Sequence, residues 1–275
     1  MTMVMLNGVL LGAEHALLPA LDRGLTHGLG LYETLKLSDG APAFYEEHIA
    51  RLHSGMSAIG IAPPFERAGL ADQVVRLSEA SAVPNGACRV LVTAGPPDGP
   101  PSLLVQTEVR ATPHHPLALV SHHTLRAAAT LKSNSFVASY MAQRAAQAAG
   151  ADDAVFVDED SRMYEASTAN VFVWRKGVLG TSPLDGSILP GVTRAKVLEL
   201  AAADDLPVGE WYTRINDLTG DEVMLLTSSV RGITPVASID GARLRQDPEL
   251  LARLRGLLHA AEQASIAAFR ETYQV

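Results

Sequence analysis

The sequence predicts a two-domain chain of mixed α+β and α/β character, and three observations carry that prediction. In residues 1–110 strand-like and helix-like stretches follow one another without strict alternation, which favours α+β. At residues 111–116 the run ATPHHP is short, polar and flanked by proline, as linkers are. Beyond it strand and helix patterns resume to the C-terminus. The expected division is a smaller N-terminal domain over 1–110, a linker over 111–116 and a larger C-terminal domain over 117–275.

Taken in order, residues 3–6 and 9–11 read as strands joined by a tight turn at Asn7-Gly8. Residues 22–30, DRGLTHGLG, are polar and rich in glycine. Residues 32–37 alternate as a strand, Ser38-Asp39-Gly40 turns, and 42–45 reads as a further strand. Ile49, Leu52, Met56 and Ile59 recur at helical spacing over 46–59, and a second helix is expected over 68–80. Residues 88–93 and 102–107 are apolar strands around the loop AGPPDGPP. In the second half, strands are expected over 117–121, 153–157, 170–174, 178–181, 208–212, 222–227 and 233–239. Helices are expected over 136–149, 193–203 and 248–273. There is no internal repeat and no low-complexity segment.

Composition narrows the function classes. With 47% hydrophobic and 19% charged residues, the 275-residue chain can bury a large core. A net charge of −8 and the lack of a dense basic run argue against nucleic acid or an anionic membrane as partner. Cys88 is the sole cysteine, so no intramolecular disulfide is possible. The N-terminus lacks the basic start of a signal peptide, and no apolar run reaches membrane-span length. These features together suggest a cytoplasmic enzyme.

The chemistry starts from scarcity. Lys36, Lys132, Lys176 and Lys196 are the only lysines among 22 basic residues. Arginine stays protonated in a protein, whereas a desolvated lysine amine can lose its proton and form a Schiff base. Lys132 follows AAATL and precedes a run that reads as a helix; a snorkelling lysine at a helix start is the alternative. Downstream, Glu165 in MYEASTAN could accept a hydrogen bond from a protonated ring nitrogen, or be an ordinary surface carboxylate. ILPGVTR, residues 188–194, reads as a helix start: Gly191 permits close approach of a ligand, and Val192 and Thr193 would offer free N–H groups to an anion. The alternative is a plain N-terminus capped by Thr193. In LTSSVRGITPV, Ser228 and Ser229 fall where a buried strand ends and could complete a phosphate cradle, or form a simple turn. A nucleophilic amine, a carboxylate for a ring nitrogen and a phosphate cradle are what pyridoxal 5′-phosphate requires.

The order LKS, YEASTANVFVWRKG, ILPGVTR, LTSSVRGITPVASIDG resembles the fold-type IV pyridoxal-phosphate enzymes. These comprise branched-chain and D-amino acid aminotransferases and aminodeoxychorismate lyase. The resemblance runs from DRGLTHGLGLYE at 22–33, through HIARLHSGMSAIGI at 48–61, to Gly241. It implies two domains of D-amino acid aminotransferase-like fold with the cofactor between them, and a homodimer. It also implies roles for single residues. Lys132 matches the Schiff-base lysine, Glu165 the pyridine-nitrogen partner and Arg51 the phosphate-binding arginine. Val192, Thr193, Ser229 and its neighbour Ser228 match phosphate ligands, and Tyr32 an active-site tyrosine. Read from its residues alone, Arg51 looks like a surface arginine on an amphipathic helix.

Within the family, branched-chain enzymes carry a tyrosine five positions after the lysine, where this chain has Val137. The Arg-x-His carboxylate trap of D-amino acid aminotransferases is absent from RVLVTAGPPDGPP. The motifs look most like aminodeoxychorismate lyase, whose substrate carries two carboxylates; Arg231 and His27 are the expected cations near it. An aminotransferase is the alternative activity, and a cofactor- or ligand-binding protein without turnover the alternative class. A metal site at His114/His115 and His122/His123 is disfavoured, because adjacent strand residues point to opposite faces.

Overall fold

A computed structural model describes residues 2–110 and 115–275 and divides the chain into two compact units. The first takes Met1–Ala111, Leu131–Ser135 and Ala261–Val275; the second takes Thr112–Thr130 and Phe136–Ala260. The segment that carries Lys132 and the end of the C-terminal helix thus group with the first unit, from beyond the expected boundary. Residues 111–114 of the expected linker, His114 among them, lie outside the described residues.

In the first unit, Asn7 and Gly8 have φ of 50° and 82°, the left-handed pair that a two-residue hairpin requires. They join β1 (Met3–Leu6) to β2 (Val9–Gly12), with Leu6 opposite Val9. The short helix α1 (Arg23–Thr26) precedes β3 (Gly30–Ser38) and β4 (Ala41–Pro42). Then come α2 (Tyr45–Ala58), α3 (Arg67–Ala80), β5 (Gly86–Thr93) and β6 (Ser102–Glu108). The strands form an antiparallel sheet in the order β2-β1-β6-β5-β3-β4. Along β3 the two-residue period sends Leu31, Glu33, Leu35 and Leu37 to one face and Tyr32, Thr34 and Lys36 to the other. Leu35, Ile49, Met56, Leu70 and Leu77 are fully buried, so α2 and α3 supply the apolar side of that core.

The strand expected over 42–45 stops at Pro42. Phe44 adopts φ 53°, which turns the chain, and α2 begins at Tyr45. The tyrosine is held there by its hydroxyl bond to the Arg67 carbonyl at 2.7 Å and an edge contact with Phe269 at 5.0 Å.

The second unit contains β7 (Leu117–His123), α4 (Val137–Ala148), β8 (Asp153–Val157), β9 (Met163–Ala166), β10 (Asn170–Arg175) and β11 (Val178–Thr181). It continues with α5 (Val192–Ala203), β12 (Val208–Glu210), β13 (Val223–Ser228), β14 (Gly232–Ile239) and β15 (Ala242–Arg243). The helix α6 (Pro248–Tyr273) closes the chain and supplies residues to both units. Strands β10-β13-β14-β7-β8-β9 run edge to edge, and β9 pairs back to β10 through Glu165 opposite Asn170. The ring is therefore closed, with β11 and β12 continuing from the far half of β10 and β15 pairing with β14. Val155, Met163, Ala166, Val171, Met224 and Val236 belong to its apolar interior cluster. The β8–β9 register moves from Val155↔Ala166 to Val157↔Met163, so β9 carries one extra residue. That bulge leaves Tyr164 and Glu165 both between interior positions, and Tyr164 packs in a separate cluster with Phe156 and Ile188.

The expected strand at 208–212 ends at Glu210, where the Trp211 indole lies against Gly180 and Gly209. Among the described residues no helix is long and apolar enough to cross a membrane.

The glycine-rich stretch before β3 depends on one buried carboxylate. Asp22 is fully buried; its Oδ1 accepts from the Gly24 N–H at 2.7 Å, capping α1. Its Oδ2 accepts from Thr93 Oγ1 at 2.7 Å and from Ser102 Oγ at 3.2 Å. Asp22→Ala strands three buried donors and is expected to destabilise the first unit by about 2–4 kcal/mol, whereas Asp22→Asn keeps the cap and costs less. Urea denaturation of the two variants tests the order; equal losses would refute this account of the loop.

Candidate active site

The segment Leu131–Ser135 is bound to the start of β3. Tyr32 N–H donates to the Lys132 carbonyl at 2.9 Å, and Asn134 N–H donates to the Gly30 carbonyl at 3.0 Å. Side chains tie it to the glycine-rich stretch as well: Asn134 Nδ2 reaches the Gly24 carbonyl at 3.2 Å and Ser135 Oγ the Gly28 carbonyl at 3.3 Å. Lys132 is partly buried, and its Nζ lies 4.8 Å from the centre of the Tyr32 ring. The Arg89 guanidinium, on the neighbouring strand, lies 4.0 Å from the same ring. Lys132 and Tyr32 are thus brought together as expected from the family, and Arg89 is an addition that its place at the start of a strand did not announce. His27 is exposed and bonds its own neighbour, Thr26 Oγ1, at 2.7 Å.

Arg51 is not a surface arginine. Its side chain is only 13% exposed, and it grips Glu33 with two bonds of 2.7 Å, Nε to Oε1 and Nη2 to Oε2. Glu33 is fully buried and also meets His48 Nδ1 at 2.8 Å. Burial alone would raise the Glu33 carboxyl, but the charge and hydrogen bonds of Arg51, with His48, outweigh it and hold it at about 2, down from 4.5. Burial pushes His48 below its usual 6.5 despite Glu33, so the ring is neutral at pH 7. Its contact with Glu33 is then a hydrogen bond from Nδ1–H, not an ion pair. The remaining nitrogen, Nε2, is buried and finds no partner among the described residues. The signal for Glu33 lay in the alternation of β3, where it is the one charged residue on a face of leucines.

In the second unit the bulge at β9 carries Glu165, which is 3% exposed. Arg126 Nη1 donates to its Oε1 at 2.7 Å, and Leu189 N–H donates to its Oε2 at 3.1 Å. Glu165 is therefore a buried, oriented carboxylate within β9 and not a surface residue ahead of a strand. Asn170, opposite it, donates from Nδ2 to the Leu189 carbonyl at 2.9 Å. Neither Arg126 in LRAAAT nor Asn170 had a readable sequence signal.

Helix α5 begins at Val192, one residue before the expected start. Gly191 is its N-cap and supplies no side-chain bond, so Thr193 is not the cap. The first turn leaves the N–H groups of Val192 and Thr193 without helical partners, at the positive end of the helix. Across the sheet, Thr227 pairs with Asn170, so the row Glu165–Asn170–Thr227 shares one face of the ring. The Thr227 hydroxyl is buried and finds no partner among the described residues. It directly precedes Ser228 and Ser229, which stand at the β13–β14 turn. An uncapped helix start beside an orphaned buried hydroxyl suits an added acceptor such as a phosphate. Arg231 is engaged elsewhere: Nε bonds Ser228 Oγ at 3.4 Å, Nη2 bonds Thr168 Oγ1 at 3.2 Å, and Asp153 lies 3.8 Å away. Among the described residues no group of three or more histidines, cysteines or acids could hold a metal.

The Glu33 cluster predicts acid sensitivity. A carboxyl lowered on folding stabilises the native state above its unfolded value, near 4.5, and loses that contribution as pH falls towards 2. The shift corresponds to a contribution on the order of 3 kcal/mol. Between pH 4.5 and 2 the wild-type unfolding free energy is expected to fall more steeply than that of Glu33→Gln, which lacks the group. Parallel pH profiles for the two proteins would show that the pair contributes nothing.

A family profile for amino-transferase class IV matches residues 30–239. The chain is 28% identical over 251 residues to a D-alanine aminotransferase of Bacillus licheniformis, covering 86% of this chain and 88% of that protein. It is 28% identical over 259 residues, with the same two coverages, to a Methanocaldococcus jannaschii protein provisionally named a branched-chain-amino-acid aminotransferase. Among solved structures, one from Legionella pneumophila provisionally named a 4-amino-4-deoxychorismate lyase has a TM-score of 0.83 at 27% identity, covering 90% of this chain and 96% of that one. A hypothetical aminotransferase from Mycobacterium tuberculosis, solved with its pyridoxal phosphate bound, shares the fold at a TM-score of 0.84 and 24% identity, with coverages of 94% and 98%. This chain belongs to the class IV aminotransferase family and is a pyridoxal-phosphate-dependent enzyme.

Proposed function

We propose that the chain is an aminodeoxychorismate lyase, which converts 4-amino-4-deoxychorismate to p-aminobenzoate and pyruvate. The observation that carries the reading is the pair of cations on the Tyr32 ring, Lys132 at 4.8 Å and Arg89 at 4.0 Å. One is the amine that handles the proton, and the other is a fixed guanidinium suited to a carboxylate of a doubly charged substrate. Arg89 replaces Arg231 and His27 in this role, because Arg231 is occupied by Thr168 and Ser228.

When bound, the cofactor supplies an electron sink that stabilises negative charge at the carbon bearing the substrate amine. Lys132 Nζ would be the amine that holds the cofactor and, when free, the base that takes a proton from the substrate carbon and can return it. Glu165, oriented by Arg126 and the Leu189 N–H, would accept a hydrogen bond from the ring nitrogen and favour its protonated form. In the second unit, Ser228, Ser229 and the N–H groups of Val192 and Thr193 would hold the phosphate; in the first, Arg51 is the guanidinium that the family resemblance assigns to it. Arg51 arrives oriented by Glu33, so little ordering is needed at binding. In the lyase reaction, loss of pyruvate from the deprotonated substrate leaves the aromatic ring.

Transamination is the second reading, favoured by the curated relatives, whose names are those of aminotransferases. It would use the same residues, with Lys132 returning the proton at a different carbon and a keto acid as second substrate. We also infer a homodimer. Leu17 and Leu21 before the glycine-rich stretch and Leu25 within it are 80%, 69% and 71% exposed, an apolar surface that a second copy would cover; gel filtration at monomer size would overturn this.

Lys132→Ala is expected to abolish both the visible absorbance of the bound cofactor and turnover, and near-normal activity without added amine would sink the assignment. Holoenzyme given aminodeoxychorismate alone should release p-aminobenzoate and pyruvate. Amine transfer from D- or L-amino acids to 2-oxoglutarate, without lyase activity, would select the second reading.

A further inference from the structure

Gly191 poses a question that its backbone does not answer. Its φ of −67° and ψ of 132° are open to any residue, so glycine is not needed for conformation. What a side chain would meet is Asn170: a Cβ on Gly191 would lie 2.0 Å from Asn170 Oδ1 and 3.2 Å from its Cγ. The space next to the start of α5 is therefore filled by a side chain of the ring, and that side chain is 4% exposed.

The same side chain holds the peptide two residues upstream. Asn170 Nδ2 donates to the Leu189 carbonyl at 2.9 Å, while the Leu189 N–H donates to Glu165 Oε2 at 3.1 Å. Glu165 and Asn170 face each other across the closing pair of the ring. One residue, Leu189, is thus held at both its N–H and its C=O by neighbouring residues of the sheet, and only Pro190 and Gly191 separate it from Val192. Pro190 has a fixed φ, so little freedom remains between the clamp and the first free N–H groups of α5.

We propose that Asn170 is a positioning residue for cofactor binding: it locks the Leu189 peptide so that the Glu165 carboxylate and the phosphate-binding start of α5 are held at one spacing. This rests on the reading of Glu165 and α5 as contacts of the ring nitrogen and the phosphate. A purely structural asparagine would lower stability without changing how well the phosphate is recognised.

The test compares dissociation constants of pyridoxal phosphate and of pyridoxal, which lacks the phosphate, on apoprotein, with the melting temperature of each apoprotein alongside. In wild type the phosphate should strengthen binding. In Asn170→Ala and in the near-isosteric Asn170→Asp that advantage is expected to fall by about tenfold or more. Gly191→Ala should lose it too, by displacing Asn170, and the double variant Asn170→Ala/Gly191→Ala should be no worse than Asn170→Ala alone. If the alanine variant fails to fold, Asn170→Asp, which keeps the volume, decides. A phosphate advantage within about threefold of wild type in folded Asn170→Asp, or additive losses in the double variant, would overturn the role of Asn170 while leaving the cofactor reading intact. A wild-type protein with no preference for the phosphorylated ligand would instead overturn the α5 cradle itself, and the role of Asn170 with it.

Discussion

The second unit depends on the closure of its strand ring at Glu165 and Asn170. A ring closes only if its last pair has compatible register, and here the last pair is made of two polar residues. Burying them is costly unless each is satisfied, and both are satisfied by binding Leu189, with Arg126 completing Glu165. The bulge in β9 is what makes this possible. The extra residue between Met163 and Ala166 lets both of these face the apolar interior while Glu165 stays on the other face, opposite Asn170. Fold closure and carboxylate placement are thus one geometric event. This explains how a charged group can sit in the middle of a strand whose neighbours, Met163, Tyr164 and Ala166, are all buried and apolar.

The first unit solves a related problem with charge. Glu33 falls on the core face of β3 and would be intolerable alone. Arg51 and His48, one helical turn apart on α2, converge on it. The arrangement turns a destabilising burial into a rigid mount for a guanidinium. Tyr32, the next residue along β3, points to the opposite face and meets Lys132 and Arg89. Adjacent positions of a single strand therefore serve the anchoring of Arg51 and the surroundings of Lys132.

Most of the element order was legible, because it rests on periodicity and turn chemistry. Asn7-Gly8, Lys176-Gly177 and the 26-residue α6 follow from local rules. The strand expected at 42–45 failed where Phe44 takes a left-handed conformation that no local preference favours; there tertiary packing of Tyr45 prevails. In the candidate site, Lys132, Glu165 and the α5 start could be singled out by chemical type, and the structure buries Glu165 and leaves the α5 start without a side-chain cap. Arg126, Asn170 and Arg89 were not, because each acts across the chain on a partner 39, 19 or 57 positions away, and single-sequence spacing carries no information about such pairs. Arg51 was legible only through family resemblance, since its burial depends on Glu33 being on the next element.

The distribution of arginine and lysine follows the same physical division. Charges that must stay charged and point in one direction are guanidinium groups: Arg51 on Glu33, Arg126 on Glu165, and Arg194 on the Ser182 carbonyl and Glu210. Their planar forks match carboxylates and cannot give up a proton. Three of the four lysines are accounted for by ordinary roles. Lys36 pairs with Glu262 at 2.6 Å, Lys196 with Glu199 at 3.2 Å, and Lys176 occupies a left-handed turn position. Lys132 alone sits against an aromatic ring and a second cation. It is also the lysine that the proposed function uses: an amine that attaches covalently and then moves a proton must be able to give up its own, which a guanidinium cannot do.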